Sequence, residues 1–219
     1  MITNIEQKLQ FRNCSVTLDN ILDNSRAASG GKRDVSFLNY LVDNNIIKVE
    51  EAVLTRSQLD LPEEYYYERY KKKIGETDRH FLCRAIIQDE LHRIGIESYS
   101  ETGLGDMGIL RANSNYDLVD MSFSFAIDIG LAPARNYFRG LTDLRIKHYL
   151  IAPFFDDYIK DIIFGVFSRI SDKGFTDAVK DYVQGIAVNP MMQSGEIIHT
   201  DIEERLDSDN ELHNSSVTY

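Results

Sequence analysis

The chain lacks several features that would place it in a specialised class. Its 219 residues contain no apolar run close to the ~20 residues that a membrane helix needs. Residues 1–6 show no basic segment followed by an apolar one, so no secretory signal is predicted. Cys14 and Cys83 are the only cysteines and lie far apart, which predicts reduced thiols rather than a disulfide framework. We therefore expect a cytoplasmic globular protein that does not bind membranes.

Common catalytic motifs are also missing. The sequence has no G-x-S-x-G turn and no P-loop, and Gly103-Leu104-Gly105 lacks the third glycine of a dinucleotide-binding loop. The five histidines show no zinc-ligand spacing with cysteine. Cys83 falls on the apolar face of a predicted helix, which indicates a core residue rather than a nucleophile. These absences disfavour several hydrolase, nucleotide-binding and zinc-site chemistries.

Positive charge is scarce. The net charge is −11, which disfavours non-specific binding to nucleic acid. Seven acids and one arginine fall within residues 194–219, so the rest of the chain carries −5 and would tolerate a local basic patch. The segment 194–219 is rich in Ser and Asn and has no apolar period, so we expect a flexible acidic tail that can contact a basic partner.

Residues 1–75 are predicted to form a helical N-terminal region. Apolar spacing between Asp34 and Leu54 predicts two short helices, joined by a turn at Asp43-Asn44-Asn45. Two interpretations of this pair stay open: a helical hairpin packed on the main domain, or half of a DNA-binding helix-turn-helix.

A further helix of this region begins at Leu61-Pro62-Glu63-Glu64, with proline in its first turn. Four tyrosines follow between positions 65 and 70, and three lysines occupy 71–73. Aromatic rings beside a basic cluster can contact a nucleic-acid strand. The alternative is a helix with inward-packed tyrosines and solvated lysines.

Residues 76–193 are predicted to form an α/β core, a mixed central sheet flanked by helices. The pattern predicts a helix from Thr77 to Gly95, three strands, a helix from about Arg135 to His148, and a further buried strand. Two more helices are predicted over 156–170 and 175–188. The third strand, residues 125–131, is apolar except for Asp128, and the strand after the crossover helix should run parallel to it.

Three acids in this core are candidate ligands of a divalent cation. Glu90 lies late on the first helix, Asp106 begins the second strand, and Asp128 lies within the third. Carboxylates from neighbouring strands suit a hard cation such as Mg²⁺ or Mn²⁺. Simpler interpretations stay open: a solvated Glu90, a turn residue at Asp106, and an ion pair of Asp128 with Arg135 or Arg111. Asp117 and Asp120 compete for the role given to Asp106.

Residues 79–155, about a third of the chain, resemble the core of the restriction-endonuclease-like superfamily, the PD-(D/E)xK nucleases. The resemblance is carried by the helix with Glu90, by Gly105-Asp106-Met107, and by Ala126-Ile127-Asp128-Ile129-Gly130. It implies a metal-dependent nuclease that cleaves DNA or RNA, with Asp106 and Asp128 holding Mg²⁺ or Mn²⁺ and Glu90 assisting. Many such nucleases are dimers, and the apolar helices after Asp156 would suit a homodimer interface.

The sequence departs from the family pattern at Gly130, where the family has a lysine. Some members relocate that charge, and Arg135, Arg139 or Lys147 would then supply it, with Arg135 assigned to the catalytic set. Other members have lost catalysis and serve as scaffolds or protein-interaction modules. A non-catalytic protein of the same fold is therefore the alternative function, and an unrelated α/β fold with Asp128 in an ion pair is a third.

Overall fold

The computed structural model describes residues 5–13, 32–100, 116–130, 137 and 140–188. Predictions that fall on Asp106, on Arg135 and on the tail at 194–219 lie outside these residues. No helix in the described part of the chain is both long and apolar enough to cross a membrane. In chain order the elements are α1 (Ile5–Lys8), β1 (Gln10–Asn13), α2 (Lys32–Asp43), β2 (Ile47–Thr55), α3 (Glu63–Arg69), α4 (Asp78–Arg93), β3 (Leu118–Val119), β4 (Phe125–Ile129), β5 (His148–Ala152), β6 (Asp161–Arg169) and α5 (Asp172–Val188).

The six strands form one mixed sheet in the order β1-β2-β6-β5-β4-β3. Strands β4 and β5 are parallel, as predicted, and residues 137 and 140–142 between them are helical. The other neighbouring strands pair antiparallel. The predicted α/β class with a mixed sheet flanked by helices is confirmed.

Strand β4 lies in the interior, and all five of its residues are buried. Because side chains alternate along a strand, Phe125, Ile127 and Ile129 face α4 in one core cluster. Ala126 faces the other cluster, where α2 and α5 pack on the opposite side of the sheet. Asp128 shares the face of Ala126, so its carboxyl group lies on the side of the sheet where α2 and α5 pack.

Two predicted helices are strands. The segment after Asn45 is β2, which pairs with β6 along its whole length, and the predicted helix over 156–170 contains β6. Apolar residues in both segments fit a helical period, but Ile162, Phe164 and Val166 are buried at alternate positions. Branched side chains favour the extended conformation once a partner strand is present. Both interpretations of the segment between Asp34 and Leu54, the helical hairpin and the helix-turn-helix, are therefore wrong, and residues 1–75 contribute two strands to the sheet.

The remaining predicted helices agree with the structure more closely. Helix α4 ends before Gly95, whose φ of +76° permits the chain to turn there. Thr77 caps its first turn by accepting a hydrogen bond from the backbone N–H of His80. The helix before β5 is shorter than predicted, since residue 143 is no longer helical and β5 begins at His148.

Candidate functional site

Two acidic residues, Asp117 and Asp128, contact each other beside the paired strands β3 and β4. The register aligns Leu118 with Ile127, and Asp117 directly precedes β3. Asp128 is only 5% exposed. It accepts hydrogen bonds from the backbone N–H of Asp117 at 3.3 Å and from the Tyr149 hydroxyl at 2.6 Å. The Asp128 carboxyl group within the apolar strand is thus fixed in orientation and contacts the backbone of a second acid.

Asp117 connects this pair to the N-terminal end of α4. Its carboxylate accepts from the backbone N–H of Ile129 at 2.9 Å, which ties it to β4. It also contacts His80 Nε2 at 3.0 Å and Lys73 Nζ at 3.4 Å. A histidine and a lysine from a distant part of the chain therefore contact Asp117.

A second acidic group, Glu76, lies on the other side of His80. His80 Nδ1 is 2.7 Å from Glu76 Oε1. Arg84 donates to both Glu76 oxygens, each at 2.9 Å, and the backbone N–H of Lys73 donates at 2.8 Å. Because both ring nitrogens of His80 face carboxylate oxygens, both carry protons, and the ring is an imidazolium.

The surroundings of His80 shift three pKa values. Hydrogen bonds to Asp117 and then Glu76 outweigh burial and raise the pKa of His80 to about 9. Burial raises the pKa of Asp117, but the hydrogen bond and charge of His80 and the charge of Lys73 outweigh it and leave that pKa lowered. Burial likewise opposes, but does not cancel, the lowering of the Glu76 pKa by His80 and Arg84. The cluster is a compact set of charged partners at neutral pH.

Folding stability should consequently depend on pH through His80. Its pKa is raised from 6.5 to about 9, so its contribution is complete below about pH 6.5 and is lost as the pH rises through 9. The lowered pKa values of Glu76 and Asp117 give stability that stays constant over this range. We expect the urea midpoint to fall between pH 7 and 10, and the His80→Gln variant to lose that alkaline slope. Equal slopes for the two proteins would contradict the assignment.

An open cleft of about 440 Å³ lies beside Lys73 and His80, the two residues that contact Asp117. Residues 73–77, His80 and Phe154 line it. The guanidinium of Arg79 lies over the Phe154 ring, 5.2 Å from its centroid. Because Lys73 and His80 line the cleft and also contact Asp117, a molecule in the cleft would reach the carboxylates through these two cationic groups.

Gly130 adopts a conformation that excludes the family's lysine. Its φ is +98°, a region that side chains rarely adopt, and a Cβ atom there would lie 2.6 Å from the Phe154 ring. The family's lysine therefore has no place at this position. Lys147 does not replace it, since it precedes the β5 residue that pairs with Phe125, at the opposite end of β4 from Asp128, and contacts Glu6. Lys73 instead places an amine 3.4 Å from the Asp117 carboxylate.

A Gly130→Ala substitution should measure this restriction. We expect a loss of about 1–3 kcal/mol in the free energy of unfolding, from the strained backbone and the contact with Phe154. Gly75→Ala is the matched control, because Gly75 also has a positive φ (+79°) but nothing within 4 Å of an added Cβ. Urea unfolding should show a smaller loss for the control. Equal losses would show that Phe154 exerts no steric restriction.

The other predicted site residues have structural contacts. Glu90 is buried, not solvated, and accepts from the backbone N–H and hydroxyl of Ser57 at 3.0 and 2.8 Å. It therefore anchors the loop after β2. Asp120 accepts from the Ser122 and Ser124 hydroxyls and from the backbone N–H of Phe125, which fixes the turn into β4.

Among the described residues, no three His, Cys, Asp or Glu side chains are grouped so that they could hold a metal ion. Mg²⁺ commonly binds through one or two carboxylates, with waters and substrate phosphates as its other ligands. Asp117 and Asp128 are the acids that could serve as such ligands, and metal binding would displace Lys73 and His80 from Asp117.

Sequence reasoning missed the contribution of Glu76, His80 and Lys73. The signal was present as Glu76, His80 and Arg84, charged residues spaced by four, which places them on one face of a helical turn. Nothing in the sequence indicated that this face meets Asp117. Comparison of the chain with protein-family models, with curated proteins and with solved structures found no match.

Proposed function

We propose that the protein is a metal-dependent nuclease of the restriction-endonuclease-like class that hydrolyses phosphodiester bonds in DNA or RNA. The observation that carries the proposal is the contact between Asp117, which directly precedes β3, and Asp128 on β4, with Lys73 and His80 joining Asp117 to a cleft. In this proposal Asp117 takes the role that the sequence pattern gave to Asp106.

The order and pairing of the elements support this class. Helix α4 precedes an antiparallel bridge between Tyr99 and Val119, the antiparallel pair β3–β4, a helical segment, and the parallel strand β5. The described part of the order that the resemblance implies is thus a helix, two strands, a helical segment and a further strand, with an isolated bridge at Tyr99 before them. Asp128 lies on β4, and Asp117 directly precedes β3.

Each side chain has a defined part in the proposed reaction. Asp117 and Asp128 would hold Mg²⁺ or Mn²⁺, and Tyr149 keeps Asp128 in position. When bound, the metal polarises the phosphate and lowers the pKa of an attacking water. Lys73 would neutralise charge on the phosphate oxygens, in place of the lysine missing at Gly130. His80 carries a proton that it can donate to the leaving oxygen.

A second candidate function is a non-catalytic binding module with the same architecture. It is favoured by the Phe154 ring over Gly130 and by the contacts that already engage both oxygens of Asp117. In this alternative the ion pairs of Asp117 only stabilise the fold. The same cleft would then bind its partner without cleaving it.

A cleavage assay separates these functions. The full chain is incubated with end-labelled single-stranded and duplex DNA and RNA, with Mg²⁺, with Mn²⁺ or with EDTA. We expect cleavage of at least one substrate with a metal and none with EDTA. Intact substrates under all metal conditions would contradict the nuclease and favour the binding module.

A further inference from the structure

We propose that the cleft takes a single strand of nucleic acid, with a base stacked on the surface formed by Phe154 and Arg79. The inference rests on the proposed function for the position of the reacting phosphate, beside Asp117 and Asp128. It adds the substrate class, unpaired nucleic acid, because the cleft would accept a strand only where that strand is not part of a double helix.

The stacking surface is accessible. Phe154 is 38% exposed although it packs over Gly130, and the guanidinium of Arg79 extends across its ring. The ring of His80 meets Phe154 edge-on, with centroids 6.1 Å apart, at the inner side of the cleft. Aromatic rings and arginine planes are the groups on which unpaired bases stack, regardless of sequence.

The charge around the cleft is complementary to a phosphate chain. Residues 71–80 contain Lys71, Lys72, Lys73 and Arg79 against Glu76 and Asp78, and Asp117 contacts Lys73. The charge of Glu76 is already matched by the buried guanidinium of Arg84. In a chain with a net charge of −11, this local excess of cations marks the segment as one that an anion can approach.

The size of the cleft and the burial of the two acids favour one strand over two. Its volume of about 440 Å³ lies in the range of pockets that hold one small ligand, and is suited to about one nucleotide. Asp117 lies behind Lys73 and His80, and Asp128 is more deeply buried. A phosphate in an intact duplex is flanked by the rest of the helix and cannot approach so closely, whereas a free strand can place a base on Phe154 and its phosphate inward.

Fluorescence anisotropy in EDTA tests the inference without cleavage. The probes are a labelled 12-nucleotide single strand, as DNA and as RNA, and a hairpin duplex with the same sequence. We expect at least about tenfold tighter binding of one single strand than of the duplex. Phe154→Ala and Arg79→Gln should each weaken single-strand binding about fivefold or more.

Tyr158→Ala is the matched control, because Tyr158 is a 74% exposed aromatic residue that does not line the cleft. It should bind like wild type. Arg79 is exposed, so Arg79→Gln remains informative if Phe154→Ala unfolds. Equal affinity for strand and duplex, no binding of any probe, or no effect of either Phe154→Ala or Arg79→Gln would overturn the inference. Single-strand binding without metal-dependent cleavage would refute the nuclease alone, and cleavage without strand preference would refute only this inference.

Discussion

Replacing Asp117 by asparagine is expected to slow metal-dependent cleavage at least about 100-fold while the chain stays folded. Asparagine keeps the shape of the side chain and an oxygen that can accept from the backbone N–H of Ile129. It removes the negative charge that would hold a divalent cation beside Asp128. Because a bound metal supplies several kcal/mol of transition-state stabilisation, and each 1.4 kcal/mol changes a rate tenfold, a loss of this size follows.

The measurement is the initial cleavage rate at saturating Mg²⁺, corrected for the folded fraction by circular dichroism. Asp120→Asn is the matched control, since it makes the same change three residues away in a carboxylate that only fixes the turn before β4. Its rate per folded molecule should stay close to wild type. An Asp117→Asn variant that cleaves as fast as wild type would show that the carboxylate pair does not bind the catalytic metal.

The central strands were predictable because their signal is local. The apolar run at β4 needs burial on both faces, and the helix after it requires a parallel strand at β5. The sequence pattern predicts helices where β2 and β6 lie, because the apolar positions of these segments fit both the helical and the strand period. What decides between them is the nine-residue pairing of the two strands, separated by more than 100 residues in sequence. Such a contact leaves no signature within either segment.

The candidate site was likewise predictable only where the signal is local. Asp128 was recognisable because a charge inside an apolar strand requires partners wherever the strand lies. Its neighbour Asp117 was only a competitor for the role given to Asp106, since register alone decides which acid faces Asp128. Lys73 and His80 reach the site from the segment before α4 and from its first turn. Their contribution depends on how α4 packs over the sheet, which the helical period does not determine.

Replacing Arg84 by methionine is expected to lower the free energy of unfolding by about 3–5 kcal/mol. The side chains of Arg84 and Glu76 are 1% and 3% exposed and form a two-point ion pair. Methionine fills a similar volume but leaves the Glu76 carboxylate buried without its main counter-charge. Removing one partner of a buried pair is costly, because the remaining charge keeps its desolvation penalty.

The exposed pair between Arg12 and Glu51 provides the control. Its arginine side chain is 54% exposed, so Arg12→Met should cost less than about 1 kcal/mol. Urea unfolding measures the coupling energy between Arg84 and Glu76. The proteins compared are wild type, Arg84→Met, Glu76→Gln and the double variant, with Arg12→Met as the control. The double variant should lose less stability than the sum of the two single losses, because it leaves no unpaired charge.

The same pair also positions the cleft. Arg84 donates to the backbone carbonyl of Lys71 at 2.9 Å, and Glu76 accepts from the backbone N–H of Lys73. The basic segment that brings Lys73 to Asp117 is thus held by a buried ion pair rather than by secondary structure. Folded Arg84→Met protein should therefore bind single strands more weakly than Arg12→Met protein does. Equal loss of stability in the two variants would contradict the assignment of Arg84 and Glu76 as the buried support of this segment.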